Sequence, residues 1–109
     1  MLPNVDRALI EDAKVRDYLL SGSHPVGRFK SVVFSALGYT QYEWMLLAVD
    51  LLALARSHPA TAEQTSAHGQ KYVVSGKLSG PNGRTGQFKT IWLVRTGEDF
   101  PRFVTALPE

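Results

Sequence analysis

The run Lys71-Tyr72-Val73-Val74-Ser75-Gly76-Lys77-Leu78-Ser79-Gly80-Pro81-Asn82-Gly83-Arg84-Thr85-Gly86-Gln87-Phe88-Lys89-Thr90-Ile91-Trp92-Leu93-Val94-Arg95 decides the fold. Side chains of a strand alternate between its two faces. Tyr72, Val74 and Leu78 fall on one face, with Lys71, Ser75 and Lys77 on the other, so the period of the first segment is that of a strand. Gly80 to Gly83 has the residues of a type I turn closed by a glycine bulge: Pro81 presets one dihedral and Gly83 accepts the positive one. Gln87 to Arg95 then alternates again, with Phe88, Thr90, Trp92 and Val94 sharing a face. A hairpin results. After Thr96 to Pro101, a third strand carries Phe103, Thr105 and Leu107.

Upstream of this meander the period is helical. Glu11 to Ser21 spaces Val15, Tyr18 and Leu19 as one face, with Glu11 and Asp12 near the positive end of the helix dipole. Pro25 suits the first turn of a second helix, whose apolar stripe is Phe29, Val32, Val33, Ala36 and Leu37 and whose stop is Gly38. Thr40 and Glu43 form a capping box ahead of a third helix, Tyr39 is placed to staple onto Trp44, and Trp44, Leu47, Ala48, Leu51 and Ala55 continue one face to about Arg56. Ser57 to Gly69 is polar and turn-rich and reads as a mobile connection. Arg7 to Ile10 has room for a short extra strand. The apolar stripes of the helices have no partner except the sheet, so the expected architecture is α+β, with N-terminal helices packed on one face of a C-terminal antiparallel β-meander.

At 109 residues and 44% hydrophobic composition, the chain has material for one core, and residues 1–109 are expected to form a single domain. It contains no cysteine, which removes disulfides, thiolate metal sites and thiol nucleophiles together. No basic-then-apolar leader opens the sequence, so an intracellular, cytoplasmic location is expected. Trp44 to Ala55 is interrupted by Asp50 and falls short of the roughly 20 apolar residues of a membrane span. The net charge of +2 is small, but it is unevenly placed. Met1 to Ala67 has six Lys and Arg against seven Asp and Glu, whereas His68 to Glu109 has six against three. The basic excess belongs to the sheet.

Histidines 24, 58 and 68 lack a tight ligand spacing, so neither metal nor cofactor is expected. Gly80 to Thr85 lacks the spacer and Gly-Lys pair of a phosphate loop, and no nucleophile elbow is present. What remains is a set of phosphate- and nucleobase-compatible groups: His24, Arg28 and Lys30 around a helix start, then Lys71, Tyr72, Lys89, Thr90, Arg102 and Thr105 on the strands. Each also has a structural explanation. His24 serves equally as a cap of the helix beginning at Pro25. Lys30 can lay its methylenes along apolar neighbours, and Arg28 can be solvated. Lys71, Lys77 and Lys89 can guard an open sheet against aggregation. Tyr72, Trp92 and Phe103 suit a core. Thr90 and Thr105 interrupt apolar faces, and either a backbone bond or a functional site would satisfy their hydroxyls.

Leu2-Pro3-Asn4, Ser23-His24-Pro25-Val26-Gly27-Arg28-Phe29-Lys30, Leu37-Gly38-Tyr39, Gly69-Gln70-Lys71-Tyr72, Gly80-Pro81-Asn82-Gly83-Arg84-Thr85 and Arg102-Phe103-Val104-Thr105, taken in order, resemble an uncharacterised bacterial domain family. That family occurs at the C-terminal tips of polymorphic and contact-dependent toxins and as stand-alone small proteins, often beside a short SH3-like partner. Its likeness to the barnase, EndoU, colicin and RelE group of ribonucleases is one of fold. The resemblance implies a metal-independent endoribonuclease toxin that cleaves tRNA or mRNA through a 2′,3′-cyclic phosphate. It implies proton transfer by His24, stabilisation of the scissile phosphate by Lys30 and Lys71, positioning by Thr90, Arg102 and Thr105, and substrate contacts from Arg28, Tyr72 and Lys89. With no delivery domain before Met1, the implied setting is a toxin-antitoxin pair with a small SH3-like antitoxin or immunity protein as the inhibitory partner. The alternative is a non-catalytic RNA- or protein-binding module acting in a two-protein complex.

Overall fold

The computed structural model describes Met1–Glu109. A 3-10 turn, Val5–Arg7, precedes α1, Asp12–Lys14, which widens into a five-residue π-helical turn, Val15–Leu19. Helices α2, Gly27–Ala36, and α3, Trp44–Ser57, follow. Strands β1, Ala60–Ala62, β2, Gly69–Ser79, β3, Thr85–Arg95, and β4, Pro101–Pro108, then form one antiparallel sheet in sequence order. The chain is α+β as its periodicities require, with Val15, Leu19, Phe34, Leu47 and Leu51 packed on Val74, Leu78, Phe88, Trp92 and Phe103. Burying each such side chain stabilises the fold by ~1.5–3 kcal/mol. Phe34 stacks on Phe88 with ring centroids 5.1 Å apart, joining α2 to the sheet. No helix is long and apolar enough to cross a membrane.

The hairpin forms as its residues dictate. The Gly83 amide donates to the Gly80 carbonyl at 3.0 Å, and Gly83 takes the positive φ of 85° that the bulge needs. Its tip also reaches the helices: Asn82 donates from its side chain to the Ala36 carbonyl (3.1 Å) and from its backbone to that of Leu37 (3.3 Å), satisfying the exposed end of α2. Gly38 closes α2 with two further bonds, Gly38 to Ser35 at 2.9 Å and Tyr39 to Phe34 at 3.3 Å. The expected capping box does not form: α3 starts at Trp44, its N-cap is Glu43 without a side-chain cap bond, and the Thr40 hydroxyl instead accepts the Glu43 amide at 3.2 Å across the turn that leads into the helix. Tyr39 is used differently from a staple. It is buried, and its hydroxyl donates to Asp50 Oδ2 at 2.5 Å.

Four features depart from the expectations. The connection Ser57 to Gly69 contains β1, whose Ala60, Thr61 and Ala62 pair with Val74, Val73 and Tyr72. It has too few apolar residues to carry a period, and the backbone bonds it supplies to β2 hold it. The extra strand at Arg7 to Ile10 reduces to a single parallel bridge from Leu9 to Arg102. Helix α2 is turned from its expected face: Gly27, Ser31, Phe34 and Leu37 are buried, whereas Val26, Phe29 and Val32 are exposed. Finally, β4 is bulged. Ile91 pairs with Thr105 and Trp92 with Phe103, leaving Val104 as an extra residue.

Candidate functional site

Three elements build a cavity of about 620 Å³ beside β4, lined among others by Glu11, Lys14, Tyr18, His24, Val26 and Thr105. The bulge creates its floor. An unbroken strand would place Thr105 on the face of Phe103, inside the core, but the extra Val104 breaks the alternation. Phe103 and Ala106 are buried, while Val104 and Thr105 between them are half-exposed and both line the cavity.

Gly27 sets the opposite wall. A Cβ built on it would lie 1.8 Å from the Tyr18 carbonyl oxygen, so only glycine lets the start of α2 sit against the π-helical turn. That approach places Lys30, one turn into α2, at Thr105: its Nζ donates to Thr105 Oγ1 at 2.5 Å and lies 5.1 Å from the centroid of the Tyr18 ring. The Tyr18 hydroxyl is 3.1 Å from the same Oγ1. Burial pushes the Tyr18 phenol up, but hydrogen bonds from Lys30 and Thr105 and the charges of Lys30 and Lys14 outweigh it, holding the phenol below its ordinary value.

His24 closes the group, its ring edge-on to Tyr18 at 5.1 Å between centroids. Its Nδ1 accepts the amides of Val26 (3.0 Å) and Gly27 (2.9 Å), so it caps α2. A neutral imidazole has one acceptor nitrogen, and the tautomer that caps carries its proton on Nε2. The cavity therefore meets a donor.

The model of a family described as a domain of unknown function (DUF6883) matches residues 1–109. The chain belongs to that family. The same fold is found in a chain of a contact-dependent growth inhibition toxin and immunity protein complex from Klebsiella pneumoniae 342, to which this DUF6883 domain is similar with a TM-score of 0.72 and 18% identity, covering 92% of this chain and 98% of that one. No curated protein matches it in sequence.

The DUF6883 fold thus gathers three of the residues singled out from sequence, His24, Lys30 and Thr105, and adds Tyr18. Sequence reasoning assigned Tyr18 to an apolar stripe, but Lys14 four residues earlier was a signal, since that spacing sets an ammonium beside the phenol. Thr90 is not in the cavity. It is fully buried, donating to the Val74 carbonyl at 2.7 Å and accepting Trp92 Nε1 at 2.9 Å, so the backbone bond is what satisfies it. Arg102 reaches the rim, yet its guanidinium is occupied by Glu98 (2.9 Å) and Glu11 (3.3 Å). Lys71 and Lys89 project from the sheet face opposite the core, away from the cavity lining, and Tyr72 packs half-buried against the core. Arg28 is exposed, its guanidinium 4.8 Å from the exposed ring of Phe29. All five basic residues of β2 to β4, Lys71, Lys77, Lys89, Arg95 and Arg102, alternate with buried positions, and these strands contain no Asp or Glu. The open face is basic. No three His, Asp or Glu side chains gather as metal ligands would.

Proposed function

We propose that this domain is a metal-independent endoribonuclease toxin that cleaves tRNA or mRNA and is held in check by a protein partner. The observation that carries the reading is the meeting of His24, Tyr18 and Thr105 in the lining of one solvent-reached cavity, with the Lys30 ammonium bonded to Thr105 behind that wall. Attack of a ribose 2′-oxygen on its own phosphodiester builds negative charge on the phosphoryl oxygens, and preorganised donors facing that charge lower the barrier. Lys30 supplies the ammonium, His24 the Nε2 proton as a hydrogen-bond donor, and Thr105 the hydroxyl that fixes Lys30. Lys71, Lys77, Lys89 and Arg95 hold flanking phosphates on the open face, where such contacts give affinity without sequence. Arg28 and the Phe29 ring offer a flanking nucleotide a cation and a stacking surface.

The toxin setting is supported by the shared fold with a chain of a toxin-immunity complex. The partner in this reading is the small SH3-like antitoxin or immunity protein. Val26 lines the cavity and is exposed with Phe29 and Val32, so a protein covering that apolar face of α2 also closes the site. A non-catalytic RNA- or protein-binding module is the second reading, favoured by two groups spent internally: His24 Nδ1 on the cap of α2 and Arg102 on carboxylates.

Expression in a bacterial host separates the two. The enzyme is expected to arrest growth, with sharp new 5′ ends in one RNA class, and Lys30→Met is expected to relieve both. Lys30 is the cleaner test, because removing the His24 cap also costs the helix about 1 kcal/mol. Unimpaired growth with an unchanged RNA profile from the folded wild-type chain would leave the binding module.

A further inference from the structure

Resting on the ribonuclease reading, we propose that Tyr18, rather than His24, takes the proton from the ribose 2′-hydroxyl, while Lys30 returns a proton to the leaving 5′-oxygen. His24 is excluded by its own geometry. Its Nδ1 lone pair is occupied by the amides of Val26 and Gly27, and its Nε2 already carries the proton. Accepting a second proton would cost α2 both cap bonds at its first turn.

Tyr18 has the opposite arrangement. Its hydroxyl lies in the cavity within 3.1 Å of Thr105 Oγ1, and Lys30 Nζ bonds to the same oxygen at 2.5 Å, so phenol and ammonium converge on one hydroxyl. The other tyrosines lack such a setting: Tyr39 is buried against Asp50, Tyr42 is 92% exposed, and Tyr72 packs on the core. The charges around Tyr18 favour its ionised form, as a base requires.

The step balances within the pair. The 2′-hydroxyl proton passes to the Tyr18 phenolate oxygen, the 2′-oxygen to phosphorus bond forms, and the bond from phosphorus to the 5′-oxygen breaks. The departing 5′-oxygen takes a proton from the Lys30 ammonium, leaving a 2′,3′-cyclic phosphate and a 5′-hydroxyl. Transfer of the phenol proton to the neutral Lys30 amine then restores phenolate and ammonium. Thr105 holds the two within reach of each other.

Two measurements on the intact chain test this. Ultraviolet difference titration reads the ionisation of the chain's four tyrosines directly, without activity. One phenol is expected to ionise at lower pH than the rest; Tyr18→Phe should remove that step, and Lys30→Met should move it upward. In cleavage of a short RNA, Tyr18→Phe is expected to lower kcat by about 100-fold with KM unchanged. The rising limb of the wild-type kcat profile should coincide with the early phenol ionisation. A Tyr18→Phe protein that cleaves at the wild-type rate overturns the assignment and leaves the ribonuclease reading intact. A rising limb that survives Tyr18→Phe but vanishes in folded His24→Gln does the same. A wild-type chain that cleaves none of the cellular RNAs overturns both, whatever the titration shows.

Discussion

Tyr39 carries its hydroxyl into the core, where burial first and the Asp50 carboxylate second raise its phenol above the ordinary value near 10. A group whose folded-state value is raised contributes stability in full below its unfolded value and loses that contribution as pH rises toward the folded one. Stability is therefore expected to fall as pH rises past about 10, and denaturant unfolding of Tyr39→Phe should show lower stability at pH 8 with a flatter alkaline limb. Two threonines make a second comparison. Thr90→Val leaves the Trp92 indole N–H without its acceptor and is expected to cost ~1–3 kcal/mol in unfolding free energy, with toxicity retained as far as the fold survives. Thr105→Val should do the reverse, leaving the melting temperature nearly unchanged and abolishing growth arrest. In the sequence both interrupt an apolar alternation, and nothing local separates them. The difference lies in Val104, one residue away from Thr105, because a bulge depends on how two strands pair.

Among the elements, α2 shows what periodicity leaves open. Val26, Phe29, Val32, Val33, Phe34 and Leu37 put apolar groups nearly all round the helix, so two stripes compete. The contest is settled from outside, by the stacking of Phe34 on Phe88 and the contact of Gly27 with Tyr18. The same contact brings Lys30 to Thr105, so the face of α2 and the site are one decision. Gly27→Ala is expected to push α2 from the π-helical turn, destabilising by ~1–3 kcal/mol and lowering cleavage more than the melting temperature implies; thermal melts beside an RNA assay would check it. Elements with strong local chemistry were legible: the Pro81-Asn82-Gly83 turn and the Gly38 stop form where their residues lie, whereas α3 begins three residues later than a Thr40 cap would start it. The β1 strand was not, because three residues of Ala-Thr-Ala hold only through the edge of β2.

For the molecule as a whole, the alternation of β2 to β4 sends hydrophobic residues toward the helices and every strand cation to the other side. That separation was readable from the two-residue alternation, and the two-layer plan from the change of period along the chain. Whether the cations join the site was not, since Lys71 and Lys89 are absent from the cavity lining whereas Lys30 reaches its Thr105 from a helix. Charge reversal by Lys71→Glu with Lys89→Glu is expected to weaken RNA binding at low salt and to shallow the salt dependence by about 0.7 log units of affinity per log unit of salt for each phosphate no longer neutralised. A filter-binding titration at several salt concentrations reads both, and an unchanged slope would remove the open face from the substrate path.

Tyr18 and Thr105, bonded across 87 positions of sequence, have a consequence for synthesis. A nascent chain emerging from the ribosome owns the first wall of the cavity long before the last, and Asn82 must arrive before the end of α2 is satisfied. Cutting the backbone between Glu63 and His68 should give fragments that are each inert, and mixing them should restore structure and chemistry together, making the domain suited to split-fragment complementation.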